Sequence, residues 1–177
     1  ANFIAERAAD RSEGVVTMVA DHYGRAAELG ADAGLDSPVL EHIGGRALDA
    51  LEAAGDATAR LYSNQEALRH YEGALSVHSE LDAPTSARIS EKLGDIALRL
   101  GRVDQATTVW DECLEFHRRE EDLQRVGDLH RKIGAAHWDK GEREASIDHY
   151  QKGIDLLKDG PPCLELVRLY EEAAWLY

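Results

Sequence analysis

One pattern of small and aromatic residues occurs three times in this 177-residue chain, at an interval of 39 to 40 residues. A glycine is followed by a small residue twelve positions later, an aromatic residue four positions after that, and a second small residue three positions further on. The copies are Gly55, Ala67, Tyr71, Ala74; then Gly94, Ala106, Trp110, Cys113; then Gly134, Ser146, Tyr150, Gly153. A fixed period of this length is typical of a helical repeat array, which presents an extended surface to a partner and not a catalytic pocket.

The periodicity of apolar residues predicts helices almost throughout, over 2–12, 14–30, 37–62, 64–80, 84–100, 103–119, 122–140, 143–158 and 162–177. Gly101 and Gly141 suit the left-handed position that ends a helix, and Asn64 is expected to replace that glycine in the first repeat. Pro84 is expected at a helix start, and residues 120–122 form an acidic turn before the next helix. The prediction is an all-α fold.

The domain organisation follows from the same pattern. Residues 1–36 form an atypical N-terminal helical segment, and residues 37–177 form the repeat array. The repeats cover about 48–81, 87–120 and 127–159, followed by a truncated helix over 162–177. Because the chain ends inside that helix, it is interpreted as a fragment of a longer protein.

These residues resemble the tetratricopeptide repeat family over about residues 48–158. Leu93-Gly94 and Ile133-Gly134 match the Leu-Gly pair of the family's first helix, helix A, and the small–aromatic–small positions match its second helix, helix B. The resemblance implies a right-handed α-solenoid of antiparallel helix hairpins that binds a protein or peptide in a concave groove. It implies neither catalysis nor a cofactor.

A second resemblance concerns the segments MVADHYGRAAELG (18–30) and AAGDATARLYSNQEALRHYEGAL (53–75). They are similar to the helical region that follows the nucleotide-binding module of large signalling ATPases, some of which carry adenylate-cyclase domains. This resemblance implies the alternative that the chain is a regulatory or sensor arm of such a regulator.

Composition excludes several kinds of partner. The net charge of −14 argues against nucleic acid and anionic membrane surfaces, since both need clustered Lys and Arg. No apolar run approaches the length of a membrane helix, and no signal peptide is visible. With Cys113 and Cys163 as its only cysteines, the chain is predicted to be cytoplasmic.

No common catalytic or phosphate-binding motif occurs, so the chain is predicted not to be an enzyme and to carry no metal. Cys113 and His117 have a spacing that could supply two metal ligands, but Cys113 occupies a packing position of the repeat. His130, His137 and His149 could form a cluster. The favoured interpretation is that each is an ordinary surface or interhelix residue.

The resemblance also places a groove along helix A of each repeat. Glu52, Glu91, Arg131 and Arg168 occupy one column, Asp56, Asp95, Ala135 and Glu172 the next, and Ala59, Leu98, Trp138 and Trp175 a third. The predicted peptide-binding residues are Glu52, Asp56, Glu91, Asp95, Leu98, Arg131, Trp138, Arg168 and Trp175. They would make an acidic N-terminal half and a C-terminal half with arginine beside tryptophan, two residue types enriched at binding hot spots. The structural alternative is that Trp138 packs in the core and that the charges form solvated ladders.

The predicted function is therefore a protein-interaction module that binds a peptide or partner domain and has no chemistry of its own. Besides the regulatory arm, self-association remains open. It would proceed through the C-terminal helix, whose Leu166, Leu169 and Leu176 a second copy could cover.

Overall fold

The computed structural model describes residues 13–77 and 81–176 and contains helices but no strand within those ranges. The helices are α1 (Glu13–Asp32), α2 (Ser37–Arg60), α3 (Asn64–Ser76), α4 (Ala83–Arg99), α5 (Val103–Arg119), α6 (Leu123–Lys140), α7 (Arg143–Leu157) and α8 (Leu164–Ala173), with a 3₁₀ turn at Ala174–Leu176. The predicted helix 2–12 and residues 78–80 of the predicted helix 64–80 lie outside the described residues. The predicted all-α fold class is confirmed.

The chain divides into two compact units, Ala1–Ile96 and Ala97–Tyr177, here called unit 1 and unit 2. In unit 1, α1 packs on α2, and α2 forms a hairpin with α3. In unit 2, α5 packs on α6, α6 forms a hairpin with α7, and α8 packs on both α6 and α7. The predicted boundary at residue 36 lies within unit 1, and the division into an N-terminal segment and a repeat array stays a prediction.

The repeated pattern is the packing core of the hairpins. The first small residue of each copy is completely buried, and the aromatic ring is at most 4% exposed: Ala67, Ala106 and Ser146, then Tyr71, Trp110 and Tyr150. A Cβ atom added at Gly55 would lie 2.4 Å from Cε1 of Tyr71, and one at Gly134 would lie 3.1 Å from Cε2 of Tyr150. In both hairpins the helix-B ring therefore rests on the helix-A glycine, which is why the pattern requires a residue without a side chain there.

The turns between helix A and helix B use a left-handed residue. Gly101 (φ 72°) and Gly141 (φ 83°) adopt this conformation, as predicted. In the first hairpin the left-handed residue is Tyr62 (φ 59°), whereas Asn64 is already the first residue of α3. The expectation that Asn64 takes the glycine position was wrong by two residues, because Tyr62 lies 39 residues before Gly101 and holds the same place in the repeat.

Two acidic side chains begin helices of the array. The Asp122 carboxylate accepts a hydrogen bond of 3.1 Å from the backbone N–H of Arg125, and the Asp82 carboxylate accepts one of 2.8 Å from that of Thr85. The backbone N–H of Thr85, then its hydroxyl, lowers the pKa of Asp82. Both starts agree with the acidic turn and the Pro84 start expected from sequence, since a carboxylate satisfies an N–H that the first helical turn leaves without a partner.

Candidate functional site

In unit 1, the predicted groove carboxylates Glu52 and Asp56 on α2 are bound by a lysine from α4. The Lys92 ammonium lies 2.8 Å from Oε1 of Glu52 and 2.8 Å from both carboxylate oxygens of Asp56. Arg88 forms a further ion pair with Glu52, and the Tyr71 hydroxyl donates to Asp56 over 2.7 Å. Both predicted groove carboxylates of α2 are therefore neutralised by cations of α4.

The two other predicted residues of unit 1 lie on α4 itself. Glu91 is 9% exposed, so its carboxylate adds little to an exposed surface. Asp95, one turn further along the helix, is half-buried. Unit 1 therefore does not present its four predicted carboxylates as one open acidic surface.

In unit 2, Arg131 on α6 joins two helices through carboxylates. Its guanidinium donates to Oδ1 of Asp128 over 2.9 and 3.0 Å and to Oε1 of Glu172, close to the C-terminal end of α8, over 2.7 Å. The Tyr150 hydroxyl donates to the second oxygen of Glu172 over 3.0 Å. Burial opposes the charge on Arg131, but Asp128 and then Glu172 raise its pKa, and burial followed by Glu172 raises the pKa of Tyr150. Arg131 therefore joins α6 to α8, and its charge is neutralised by these two carboxylates.

The two predicted tryptophans of unit 2 are exposed. Trp138 is 40% exposed, and the Arg143 guanidinium carbon lies 5.5 Å from the ring centroid. Trp175, in the 3₁₀ turn, is 87% exposed. The alternative that Trp138 is a core residue does not hold, because buried aromatics of this chain, such as Trp110, are almost completely covered.

Leu98 and Arg168 complete the predicted set in unit 2. Leu98 is half-buried, whereas Arg168 is exposed. Arg168 borders a polar cavity of about 360 Å³ between α6 and α8, together with Asp122, Gln124, Arg125, Asp128 and Glu165. Three carboxylates and two guanidinium groups therefore border this cavity.

A lysine above the repeat aromatic is a feature that the sequence reasoning missed. Lys92 lies 6.0 Å from the Tyr71 ring centroid in unit 1, and Lys132 lies 5.7 Å from the Trp110 centroid in unit 2. The signal was present, since these are two of only five lysines in the chain and lie 40 residues apart. Each cation faces the negative face of a ring and covers it.

The histidines of α6 and α7 do form a cluster. Nδ1 of His130 lies 3.2 Å from Nδ1 of His149, and the rings of His137 and His149 are 5.4 Å apart. Cys113 is buried and is not part of a disulfide, in agreement with its predicted packing role. Within residues 13–77 and 81–176, no group of three or more histidine, cysteine or acidic side chains has the arrangement of a metal site.

Comparisons with known proteins agree with this architecture. Residues 85–159 match the sequence profile of the tetratricopeptide repeat family. Residues 85–159 are tetratricopeptide repeats. The matched segment contains most of α4 and all of α5, α6 and α7, so α4 and α6 are A helices and α5 and α7 are B helices.

Solved structures extend the tetratricopeptide fold over most of the chain. BtubC from P. vanneervenii superimposes with a TM-score of 0.62 at 16% identity, covering 95% of this chain and 66% of that chain. MamA gives 0.57 at 15% identity, covering 93% and 82%, respectively. The TPR2AB domain of yeast Sti1, in a complex with pHSP90, gives 0.54 at 19% identity, covering 74% and 49%. At these identities the similarity establishes the tetratricopeptide-type solenoid fold alone.

The chain spans only part of some of these proteins, about two thirds of BtubC and half of the Sti1 chain. No curated protein matches the sequence. Among the helices of the described residues, none combines the length and the apolar character needed to cross a lipid bilayer.

Proposed function

We propose that the chain is a protein-interaction module that binds a peptide segment against the helix-A face of unit 2, formed by α6 and α8, without chemistry of its own. The tetratricopeptide repeats supply a rigid scaffold, and among the similar structures the TPR2AB domain of Sti1 is a complex with pHSP90. The proposal rests on unit 2 alone. In unit 1, Glu52 and Asp56 have internal cations as partners and Glu91 is buried, so the carboxylates of unit 1 do not carry it.

The exposure of Trp138 is the observation that carries the proposal. It lies seven residues after Arg131 on α6, which places both side chains on one face of the helix. A tryptophan is among the residues that contribute most when a partner buries them, and the Arg143 guanidinium already restricts this ring. Trp175, 87% exposed, offers a second aromatic anchor in the same unit.

The charges of unit 2 indicate what the peptide would be. Arg131 is neutralised by Asp128 and Glu172, so its role is to position α8 and not to select an acidic ligand. The cavity at Arg168 carries both signs of charge. The matching ligand is therefore an apolar residue flanked by acidic and basic residues, with electrostatics choosing between partners and the aromatic anchor supplying affinity.

The test is a selection of displayed peptides against the purified chain, followed by calorimetry on the enriched sequences. Trp138→Ala/Trp175→Ala should weaken binding at least tenfold, because both anchors are removed. Leu61→Ala is the matched control: it removes an apolar side chain that is 59% exposed, but in unit 1, and should leave the affinity unchanged.

Circular dichroism of each variant confirms that helical content is retained before affinities are compared. The proposal fails if no peptide is enriched, or if the enriched peptides bind the double tryptophan variant as tightly as the wild type. Arg131→Glu is not a suitable probe, because it would leave three carboxylates close together and disturb the packing of α8.

Self-association through α8 is a second candidate, favoured by a different set of residues from the one expected. Leu169 is fully buried and Leu166 is packed on the core, whereas Leu164, Val167 and Tyr170 are 51–56% exposed. Sedimentation of wild type and Val167→Glu over a hundredfold concentration range tests this candidate. A dimer lost only in the variant supports it, and a wild-type monomer throughout contradicts it.

The alternative that the chain is a regulatory or sensor arm of a larger signalling ATPase stays a prediction.

A further inference from the structure

A groove of about 440 Å³ lies between α7 and α8 in unit 2, and it shares no lining residue with the polar cavity at Arg168. Its walls are mainly apolar and include Ile147 and Ile154 of α7, Tyr170 of α8, and Ala174 of the 3₁₀ turn that follows. The Tyr170 side chain is 51% exposed, so the groove is open to solvent.

Burial shows that α8 takes the place of a helix A in unit 2. Leu129 of α6 and Leu169 of α8 are 40 residues apart, and both are completely buried. Ile133 and Ala173, again 40 residues apart, are 1% and 9% exposed. The core positions of α6 are therefore repeated in α8 at the interval of the array.

In α6, a second face lies next to these core positions and is covered by α7. A Cβ atom added at Gly127 would overlap Leu157, and one added at Gly134 would lie 3.1 Å from Cε2 of Tyr150. His130, between the two glycines, is 4% exposed. This face is the surface on which the helix B of the repeat packs against its helix A.

The matching face of α8 is apolar but uncovered. The residues 40 positions after Gly127, His130 and Gly134 are Val167, Tyr170 and Ala174. Val167 and Tyr170 are each 51% exposed, and Ala174 is exposed as well. Within residues 13–77 and 81–176, no helix B covers this face. The surface that a helix A offers to its helix B is therefore present on α8 without a counterpart.

The side chains of this face require a covering helix that differs from α7. Val167 and Ala174 stand where α6 has glycine, so the space for large side chains opposite them is lost. The covering helix therefore needs small residues at the positions that Tyr150 and Leu157, seven residues apart, hold in α7. Opposite Tyr170, the open groove has room for a large apolar side chain.

Charge favours a foreign helix over a second copy of the chain. The net charge is −14, so two copies repel each other, whereas a basic helix is attracted. Glu171 lies beside the exposed face, between Val167 and Ala174 in sequence, and is itself exposed. Lys158 at the groove is paired with Asp155 over 2.6 Å and therefore does not oppose a basic ligand.

We propose that the groove between α7 and α8, with the exposed face of α8, binds an amphipathic α-helix of a partner protein that is basic on its polar side. This helix carries a large apolar residue followed directly by a small one, and a second small residue seven positions after the first. It packs on α8 as α7 packs on α6. The surface includes neither Trp138 nor the cavity at Arg168, so it is independent of the proposed peptide site.

The probe is a fluorescein-labelled peptide of residues 143–158, stapled on its polar side because isolated helices of this length are marginal in water. His149→Leu supplies the large apolar residue, Tyr150→Ala and Leu157→Ala supply the small ones, and lysine replaces its three acidic residues. Fluorescence anisotropy should show saturable binding that weakens with added salt. A comparison peptide that keeps Tyr150 and Leu157 should bind about tenfold more weakly, because it overpacks the face.

Val167→Arg should weaken binding of the probe about tenfold, because it adds bulk and a positive charge opposite a small residue of a basic helix. Ala174→Arg is the second variant should the first unfold. Val39→Arg is the matched control, since Val39 is 47% exposed on α2 in unit 1, and it should retain wild-type binding. Trp138→Ala should also retain it, which separates this groove from the proposed peptide site.

Three results with the probe would each overturn the proposal: no saturable binding, equal binding of the two peptides, or unchanged binding by the arginine variants of the face. Weaker binding by Trp138→Ala would overturn it by placing the probe on the peptide site. A wild-type dimer in sedimentation that Val167→Arg dissociates would assign the face to a second copy of the chain.

Discussion

Nδ1 of His130 lies 3.2 Å from Nδ1 of His149, across the α6–α7 hairpin of unit 2. On the other side of the His130 ring, Nε2 lies 3.3 Å from a guanidinium nitrogen of Arg118. Arginine can only donate, so Nε2 of His130 must accept. The proton of a neutral His130 ring is therefore on Nδ1 and is donated to His149, which fixes the tautomer of both rings.

This arrangement predicts that acid weakens unit 2. Burial, then the neighbouring His149 and Arg118, lowers the pKa of His130 to about 4 from 6.5, and burial followed by Lys152 lowers that of His149. Between pH 4 and pH 6.5, the unfolded chain therefore binds more protons than the folded chain. The free energy of unfolding is therefore unaffected by His130 protonation well above pH 6.5. It falls by about 3 kcal/mol as the pH decreases from 6.5 toward 4, because only the unfolded chain binds this proton.

The measurement is the free energy of unfolding in urea from pH 4 to pH 8, compared between wild type and His130→Leu. The difference between the two proteins should shrink as the pH falls. His42→Leu, at an exposed position of α2, should reproduce the wild-type pH slope, because an exposed ring is hydrated in both states. Parallel curves for wild type and His130→Leu would show that the His130 ring is not held neutral.

Replacement of Lys92 should destabilise unit 1. Lys92→Met removes the ammonium group that lies between Glu52 and Asp56, so that Asp56 loses this cation and Glu52, whose side chain is only 13% exposed, keeps Arg88. Because Lys92 itself is 32% exposed, the expected loss is about 1–2 kcal/mol, between the values for exposed and buried pairs. Added salt should reduce the loss.

Lys158→Met is the comparison, because Lys158 pairs with Asp155 on the surface of the helix end and both side chains are nearly half exposed. Its unfolding midpoint in urea should stay close to that of the wild type. An equal effect of the two substitutions would mean that the Lys92 ion pairs contribute no more than a surface pair.

The periodicity of apolar residues was sufficient to predict the helices of the described residues. The repeat pattern was sufficient to predict how they pair into hairpins, because small and aromatic positions in a fixed period determine how two helices can pack. It could not predict the ion pairs of the candidate surface. Glu52 and Lys92 are 40 residues apart, and the spacing of helix A positions does not determine which side chain of the next helix reaches them. Likewise, the contact between His130 and His149 depends on how far α7 is displaced along α6, which spacing along the chain does not fix.

Tyr62→Gly should stabilise the protein. Tyr62 has φ 59°, a conformation that costs an L-residue roughly 1–2 kcal/mol and glycine little, and its ring is 81% exposed, so little packing is lost. Part of the gain is offset by the greater freedom of glycine in the unfolded chain, which leaves about 1 kcal/mol. Thermal unfolding checks this, with Tyr62→Ala as the control that removes the ring but keeps the strained backbone. A gain with alanine as well would assign the effect to the ring.

Ser146→Ala should also stabilise the protein, by removing a polar atom from the repeat core. Ser146 is completely buried, and its hydroxyl has no hydrogen-bond partner among the described residues, whereas the equivalent positions of the other repeats are Ala67 and Ala106. Loss of an unsatisfied buried hydroxyl is worth about 1 kcal/mol. Thr58→Val provides the opposite case, since the buried Thr58 hydroxyl donates to the carbonyl of Ala54 over 2.7 Å and its loss should destabilise. Urea unfolding of both variants should therefore shift the midpoint in opposite directions, and a lower midpoint for Ser146→Ala would mean that its hydroxyl is satisfied in solution.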